Sequence, residues 1–237
     1  MQAALEAALG RVADAPVTVH CAGRTDAGVH ALAQVCHFDA PTARPLRAWT
    51  FGANSHLPAA VAVHWAAGVP GDFHARHSAF SRSYRYTVLN RPTRPALEAD
   101  RVAWVREPLD ARAMDEGARH LLGEHDFDAF RAAGCQAPHA VREVLDARVR
   151  RDGARVALEI TANAFVHNMV RIIAGSLVVV GRGERPPSWI AELLASRDRT
   201  RGGATAPPGG LVFLQPGYPE RFGVPDFTDP ARGVWHP

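Results

Sequence analysis

A short segment near the N-terminus combines a carboxylate, a guanidinium and two glycines. It reads Gly-Arg-Thr-Asp-Ala-Gly over residues 23–28, with Asp26 near its centre and Arg24 two residues before it. Glycine permits positive φ angles and close backbone approach, so this loop can adopt a tight shape. An ionised Asp can act as a nucleophile, and a neighbouring Arg favours its charged form. The same residues are equally typical of a turn that Asp and Thr stabilise by local hydrogen bonds, so both interpretations stay open.

Several other kinds of catalytic site are not indicated. No second carboxylate lies near Asp26, although a hydrolase with paired carboxylates would need one. The sequence has neither a Gly-rich loop ending in Lys-Ser or Lys-Thr nor a dinucleotide-binding fingerprint. Cys21, Cys36 and Cys135 are too few and too scattered for a disulfide framework, and the 12 histidines show no paired spacing typical of metal ligands. We therefore predict no metal site.

The charge of the chain permits a nucleic-acid partner without requiring one. The formal net charge is +3, and all 27 basic residues are arginines. A mildly basic balance fits nucleic-acid binding, yet many small-molecule enzymes share it. The longest apolar run, residues 172–180, is too short to cross a membrane. The N-terminus has no basic region followed by an apolar stretch, so no secretory signal is visible. These features predict a soluble, cytoplasmic protein without a membrane partner.

Hydrophobic spacing predicts the elements that would position the candidate loop. In the first part of the chain, apolar residues at helical spacing predict helices over residues 2–14 and 47–57. Alternating residues predict strands over residues 17–21 and 32–38, which would form a hairpin with the Asp-containing loop at its tip. A further β-branched strand is predicted over residues 61–65.

The rest of the chain alternates in the same way. We predict strands over residues 81–89, 141–151, 155–161 and 211–214, and helices over residues 110–122, 167–181 and 187–195. Asp110 is the expected cap of the first of these helices, and Asp152-Gly153 is a hairpin turn signal. The elements fall into two blocks, residues 1–69 and 70–237. This order predicts the α+β class, with helices on one face of a mainly antiparallel sheet.

Several motifs resemble those of one enzyme family. Residues 21–30 read Cys-Ala-Gly-Arg-Thr-Asp-Ala-Gly-Val-His, which resembles the signature of the tRNA pseudouridine synthase A family. Further motifs that resemble this family follow in the same order, at residues 72–76, 82–86, 121–127, 163–171, 188–190 and 198–199. The resemblance therefore covers nearly the whole chain.

The resemblance implies an activity and a catalytic residue. Members of the family convert uridine to pseudouridine in the anticodon arm of tRNA, at positions 38, 39 and 40, without a cofactor. Asp26 matches the family's essential Asp, which attacks the nucleotide or stabilises the detached uracil. Arg24 matches an Arg linked to ejecting the target nucleotide, and an enzyme that acts on a base must unstack it first. Arg24 could equally serve only to hold Asp26.

Two further residues match the family's active site. Tyr84 matches a Tyr that stacks on the uracil and helps to remove the C5 proton, although a ring packed on the core is the plainer interpretation of its strand position. Arg171 matches a basic residue that pairs with the catalytic carboxylate. Because its neighbours in the predicted helix are apolar, an unpaired charge there would be costly, and Asp26 is the natural partner.

The resemblance also implies the substrate contacts and the architecture. The residues that match tRNA-contacting segments are Phe73, His74, Ala75, Arg76, His77, Gly134, Cys135 and Gln136. For any one of them a solvated loop is a fair alternative. The implied fold is two ferredoxin-like halves with joined sheets and the active cleft between them. The implied assembly is a homodimer whose partner is tRNA.

The chain departs from the family's pattern at its start. Family members normally open with a strand carrying Tyr-x-Gly, whereas this chain begins directly at a predicted helix. We therefore expect that the first strand of the N-terminal half is missing and that the true start lies upstream. Such a truncation could leave a tRNA-binding protein without turnover, which is the alternative to an active synthase.

Overall fold

The computed structural model describes residues 1–225, which form a mixture of helices and strands. The chain divides into two compact units. Among the described residues, the first unit comprises Met1–Arg24, Gln34–Phe80 and residues 216–225, and the second comprises Thr25–Ala33 and Ser81–Gln215. The α+β class predicted from the sequence is confirmed.

The elements of the described residues are named in chain order. The α-helices are α1 (Gln2–Ala13), α2 (Ala111–Arg119), α3 (Met169–Gly181) and α4 (Trp189–Ser196). The strands are β1 (His20–Cys21), β2 (His30–Ala31), β3 (Cys36–His37), β4 (Ser81–Asn90), β5 (Ala103–Val105), β6 (Gly123–Asp126), β7 (Val141–Asp152), β8 (Arg155–Ala162) and β9 (Leu211–Gly217). None of the helices among residues 1–225 is both long and apolar enough to cross a membrane.

Helix α1 packs over a small core in the first unit. Its predicted span is confirmed, and it ends where Asp14 adopts a left-handed conformation with φ 55°. Ala8 and Leu9 face inward and pack with Val19 and Trp49. Burial of this apolar face is the main source of stability for a helix of this length.

The predicted hairpin at residues 17–38 is present but much shorter than expected. Only β1 and β3 pair, in antiparallel register. The prediction of a strand from residue 17 was wrong because helix α1 supplies the hydrogen bonds that a partner strand would supply. The amide of Val19 donates to the Glu6 carboxylate, and the carbonyl of Val19 accepts from the Gln2 side chain.

Two other elements predicted in the first unit differ from the structure. The predicted strand over residues 61–65 is absent from the described structure. Its central residue, Val63, bonds through both its N–H and its carbonyl to the amide side chain of Asn54, which replaces a partner strand. The predicted helix over residues 47–57 contains a π-helical turn at Ala48–Gly52. Side-chain chemistry therefore overrides the β-branched and apolar pattern here.

The second unit is built on one sheet. Along the sheet the strand order is β2-β9-β4-β8-β7-β6, and β5 pairs with β4. The pairs β4–β8, β7–β8 and β6–β7 are antiparallel, in agreement with the mainly antiparallel sheet that was predicted. The pairs β4–β5 and β2–β9 are parallel, and strand β6 was not predicted. The β7–β8 hairpin predicted at Asp152-Gly153 is confirmed, with Asp152 opposite Arg155 and Gly153 at φ 54°.

Helices cover the apolar side of this sheet. Alternate residues of β8, such as Leu158 and Ile160, are buried together with Ile173 and Leu177 of α3. Asp110 caps α2 through its carboxylate, as predicted. Helix α3 begins at Met169, two residues later than expected, because Asn168 adopts a left-handed conformation with φ 61°.

Strand β2 attaches the Asp26 segment to the sheet. It pairs in parallel with β9, with His30 opposite Val212. The contact continues through Leu32 and Ala33, whose amides donate to the carbonyls of Phe213 and Leu214. The residues just after Asp26 are therefore held by a strand that lies near the far end of the chain.

Candidate active site

The loop that carries Asp26 is a closed turn of the second unit. The amide of Val29 donates to the Asp26 carbonyl at 3.1 Å. Gly28 adopts φ +81°, and a Cβ there would lie 3.1 Å from Pro208 Cγ. The turn therefore requires glycine for its conformation and for the space it leaves. With β2 fixed to β9, the turn presents the Asp26 carboxylate partly to solvent.

The side chains of Arg171 and His167 face the two oxygens of this carboxylate. Arg171 Nη1 lies 3.5 Å from Asp26 Oδ2, and His167 Nε2 lies 3.6 Å from Asp26 Oδ1. The side chain of Arg171 is only 15% exposed, compared with 41% for Asp26. The arrangement places a fixed positive charge beside a carboxylate that a ligand can still approach.

Arg171 is held in place by two further acceptors. Its Nε donates to the carbonyl of Ala206 at 2.8 Å, and its Nη1 donates to Asn168 Oδ1 at 2.9 Å. The backbone bond from Ala206 N to the Arg171 carbonyl completes the attachment. A planar guanidinium can serve several acceptors in fixed directions, which a lysine could not do.

Tyr84 contributes a ring in a largely apolar setting. It packs edge-on against Phe165 and Phe213, with ring centroids 5.0 Å away in each case. Burial raises the pKa of Tyr84 to about 12, Arg82 lowers this pKa, and the charge of Asp26 raises it further. The phenol is therefore neutral near pH 7, and Asp26 lies close enough to act on it electrostatically.

Tyr86, on the same face of β4, is a core residue. Its ring is buried, and its hydroxyl donates to the Pro207 carbonyl at 2.8 Å. The two tyrosines therefore differ although strand alternation places them together. Only Tyr84 remains partly exposed beside the Asp26 carboxylate.

These groups define the chemistry that the site can support. A carboxylate held next to a mostly buried guanidinium can act as a nucleophile or stabilise a developing positive charge. Within residues 1–225, no cluster of three or more His, Cys, Asp or Glu side chains is arranged to hold a metal ion. A neutral phenol on an apolar platform suits a flat, uncharged ring.

The sequence matches a profile described as tRNA pseudouridine synthase over residues 1–78 and 118–219. The chain belongs to the tRNA pseudouridine synthase family. It is 56% identical over 225 residues to tRNA pseudouridine synthase A of Xylella fastidiosa strain M12, covering 95% of this chain and 88% of that protein. It is also 55% identical to the proteins of the same name from Methylococcus capsulatus and Xanthomonas euvesicatoria, covering 94% and 95% of this chain and 83% and 88% of those proteins.

The family-matched residues 73–77 lie in the first unit and differ in exposure. Phe73 and Ala75 are buried, and the Phe73 ring packs on Tyr218 and Phe222. Their side chains therefore shape the segment and are not presented to solvent. Arg76 and His77 are exposed, and both their amides donate to His74 Nδ1.

His74 belongs to a group of contacting histidine rings that also includes His20, His37 and His77. Burial lowers the pKa of both His37 and His74, and neighbouring imidazoles lower each pKa further. These two rings are therefore more readily neutral than a solvated histidine, and they offer stacking surfaces and hydrogen bonds more than charge.

The other matched segment, residues 134–136, lies in the second unit beside His167. Gly134 adopts φ +79°, and Gly134 and Gln136 are exposed. The amide of His167 donates to Cys135 Sγ at 3.4 Å. Arg24, in contrast, is an exposed residue of the first unit, two positions before Asp26 in the chain.

His167 was missed as a site residue by the sequence analysis. It lies within the matched motif of residues 163–171, two positions before the first residue of α3. Its place in the same motif as Arg171 was the signal that could have identified it. Asn168, which accepts from Arg171, was missed in the same way.

Proposed function

We propose that this chain converts uridine to pseudouridine in tRNA and that Asp26 is its catalytic residue. The observation that carries the proposal is the exposed Asp26 carboxylate facing the buried guanidinium of Arg171 at 3.5 Å. This pair occurs in a chain that is 56% identical to a protein named tRNA pseudouridine synthase A. The proposed target positions are 38, 39 and 40 of the anticodon arm.

In the proposed reaction the uracil is detached from its ribose, rotated and rejoined through C5. Asp26 attacks the nucleotide or stabilises the detached species, and Arg171 orients the carboxylate and places a positive charge 3.5 Å from it. Tyr84 stacks on the uracil and, as a neutral phenol, assists the proton transfer from C5. The reaction is a rearrangement of one nucleotide, and the proposal includes no cofactor.

The remaining contacts are proposed for the tRNA backbone and the unstacked target. Arg24 replaces the ejected nucleotide in the stack. His74, Arg76 and His77 of the first unit, and the backbone of residues 134–136 of the second, bind phosphates and ribose. Phe73 and Ala75 support the first of these segments from the core.

The architecture that accompanies this function is also part of the proposal. We propose that the chain has two ferredoxin-like halves, residues 1–69 and residues 70–237. The active form is proposed to be a cytoplasmic homodimer. Sedimentation of the purified chain tests the dimer, because a monomeric mass at micromolar concentration contradicts it.

One assay tests the function directly. The chain is incubated with a tRNA transcript that carries uridines at positions 38 to 40, and pseudouridine is mapped chemically at nucleotide resolution. We expect modification by the intact chain and none by Asp26→Asn, with tRNA binding by that variant unchanged in a filter-binding assay. Binding without modification by the intact chain would instead identify a tRNA-binding protein without turnover.

A further inference from the structure

His167 and Asp26 are juxtaposed in a way that the pairing of Asp26 with Arg171 does not explain. The two side chains approach different oxygens, Arg171 at Oδ2 and His167 at Oδ1. A carboxylate rotates broadly about its last torsion, so a partner at one oxygen leaves the other free to turn. A second partner at the other oxygen fixes the plane of the group.

The backbone of His167 is held on both sides. Its amide donates to Cys135 Sγ at 3.4 Å, and its carbonyl accepts from the amide of Ala132 at 3.1 Å. The next residue, Asn168, turns the chain through φ 61° and accepts from Arg171 at 2.9 Å. Hydrogen bonds therefore hold the backbone of His167, and Asn168 joins this segment to the Arg171 side chain.

We infer that His167 is a positioning residue, which orients the Asp26 carboxylate for the reaction while Arg171 supplies the fixed charge. This inference rests on the proposed function. The side chains of His167 and Asp26 are 46% and 41% exposed, so the pair adds little stability and its effect lies in geometry. Catalytic contacts are often long before substrate binds, which fits the 3.6 Å separation.

The test compares His167→Ala and His167→Gln with a matched control, His120→Ala, at an exposed residue that follows α2. We expect His167→Ala to lower kcat on tRNA by about 10- to 100-fold while KM stays within about 2-fold, because a small misplacement of a reacting group has effects of this size. Glutamine retains an N–H near the position of Nε2, so His167→Gln should recover part of kcat. An unchanged kcat in His167→Ala, or a loss no larger than in His120→Ala, overturns the inference.

A second measurement does not depend on turnover. The imidazole ¹H–¹⁵N signals of His167, assigned by their loss in His167→Gln, are compared in the intact chain and in Asp26→Asn. We expect these signals to shift when the carboxylate is removed, and unchanged signals contradict the inference. If the signals shift but the intact chain does not modify tRNA, the proposed function fails while the contact between the two side chains stands.

A separate observation concerns the thiols of Cys21 and Cys36 in the first unit. The sequence suggested scattered cysteines, but these two lie directly opposite each other in the β1–β3 ladder, with Sγ atoms 3.3 Å apart. The adjacent pair is joined by the bond from Ala22 N to the Val35 carbonyl, so the cysteines occupy a non-hydrogen-bonded position. Cα atoms at such positions are about 4.5 Å apart, which is within the range of disulfides.

The two thiols differ in reactivity. The hydrogen bond from Cys36 lowers the pKa of Cys21, and Arg24 lowers this pKa further, so Cys21 is the thiol that ionises more readily. The pKa of Cys36 is raised by the same hydrogen bond and by burial. Both residues retain partial exposure. A low-pKa, accessible thiolate beside a second thiol is typical of redox-sensitive cysteines.

We propose that Cys21 and Cys36 form a reversible disulfide when the protein meets a peroxide. The Cys21 thiolate attacks one oxygen of hydrogen peroxide, which gives a sulfenic acid and, after protonation, one water. The Cys36 sulfur then attacks the sulfenic sulfur and releases a second water. Two thiols lose two electrons and two protons in total, and peroxide is reduced to two waters.

Thiol counting tests this proposal. The folded protein is treated with hydrogen peroxide, denatured, and its free thiols are titrated. We expect the count to fall from three to one and to return to three with a dithiol reductant. Cys135→Ser should fall from two to none, whereas Cys36→Ser should form no intramolecular bond. Three thiols remaining free, or oxidation of Cys21 to a sulfinic acid while Cys36 stays free, overturns the proposal.

Discussion

The exposures of Asp26 and Arg171 differ in a way that suits catalysis. The guanidinium is 15% exposed and makes three polar contacts, whereas the carboxylate is 41% exposed. A buried cation without partners would cost free energy of folding, and Arg171 is accordingly held by hydrogen bonds to the protein. Asp26 contacts it from the side that is open to solvent. The proposed reacting group is thus the accessible member of the pair, and its partner places a fixed positive charge beside it.

Arg171→Gln should separate the role of this charge from that of the fold. We expect turnover on tRNA to fall by about 100-fold or more, because the carboxylate loses its fixed partner. The Ala206 carbonyl also loses the donor at 2.8 Å, and an unsatisfied buried acceptor costs about 1–3 kcal/mol of unfolding free energy. Single-turnover kinetics and urea unfolding measure the two effects.

Arg182, directly after the helix that carries Arg171, provides a matched control for this variant. Arg182 follows α3 and pairs with Glu107 at 3.1 Å on a more exposed surface. Because exposed ion pairs contribute about 1 kcal/mol or less, Arg182→Gln should leave both turnover and stability nearly unchanged. Equal losses of turnover in the two variants would show that charge near α3 matters in general and that the pairing with Asp26 does not.

Tyr84 gives a prediction about alkaline pH. Its pKa is raised by burial to about 12 from an ordinary value of 10, so the folded state keeps a proton that the unfolded chain releases. The resulting stability is fully present below pH 10 and is lost as the pH rises towards 12. In Tyr84→Phe the fall in unfolding free energy over this window should be shallower. Urea unfolding at several pH values measures it.

Part of the alkaline loss should survive in that variant. Burial also raises the pKa of Tyr86, which stays in place in Tyr84→Phe. The expected result for Tyr84→Phe is therefore a reduced slope of unfolding free energy against pH. A slope identical to that of the chain without the substitution would contradict the prediction. Turnover near pH 7 should still decrease, because Phe retains the ring platform but lacks the hydroxyl.

At the scale of elements, helix α3 and the segment that follows α4 together hold the site. Gly175 in α3 lies so close to this segment that a Cβ would overlap the carbonyl oxygen of Ala204. Two residues further, Ala206 exchanges two hydrogen bonds with Arg171. The close packing of α3 on this segment therefore helps to fix the position of the Arg171 guanidinium.

Gly175→Ala should therefore impair both stability and turnover. The new methyl group meets backbone that cannot rotate away, and we expect a loss of about 3 kcal/mol in unfolding free energy. Gly181→Ala on the same helix is the control, because its Cβ would meet the flexible side chain of Met114. Thermal unfolding should rank the two variants in this order. An equal loss in both would contradict the backbone argument.

The sequence predicted some of these elements well and others poorly, for identifiable reasons. The β7–β8 hairpin and α1 were predicted because their signals are local, namely alternation, a Gly-containing turn and helical spacing. The strands around Val19 and Val63 were not, because the Glu6, Gln2 and Asn54 side chains take their backbone hydrogen bonds. No periodicity within a strand reveals such a competitor.

At the scale of the whole molecule, the limit of sequence reasoning is long-range pairing. The sequence placed Asp26 at the tip of a local hairpin, but the residues after it pair in parallel with β9, near the end of the chain. The hydrogen bond from His167 to Cys135 likewise joins residues 32 positions apart, and the contact of Cys21 with Cys36 depends on the register of β1 and β3. Motif matching identified Asp26, Tyr84 and Arg171 as site candidates, whereas the geometry added His167 and Asn168.

The two units differ in the roles proposed for their residues, catalysis in the second and tRNA binding in the first, and this difference can be tested with tRNA. The proposed catalytic residues Asp26, Tyr84 and Arg171 belong to the second unit, whereas Arg76 belongs to the first and is exposed. If Arg76 binds a phosphate, Arg76→Gln should weaken tRNA binding at every salt concentration. It should also reduce the slope of log K against log salt by about 0.7 to 0.9, because one fewer counterion is released.

The rate of modification of bound tRNA distinguishes binding from chemistry. Arg76→Gln should leave the single-turnover rate at saturating enzyme unchanged, whereas Asp26→Asn should abolish that rate and keep the affinity. Arg112→Gln, at an exposed residue of α2, removes the same charge from the second unit and serves as the control. If both Arg variants change the salt slope equally, binding depends on net charge alone. An effect confined to Arg76→Gln assigns the phosphate contact to the first unit.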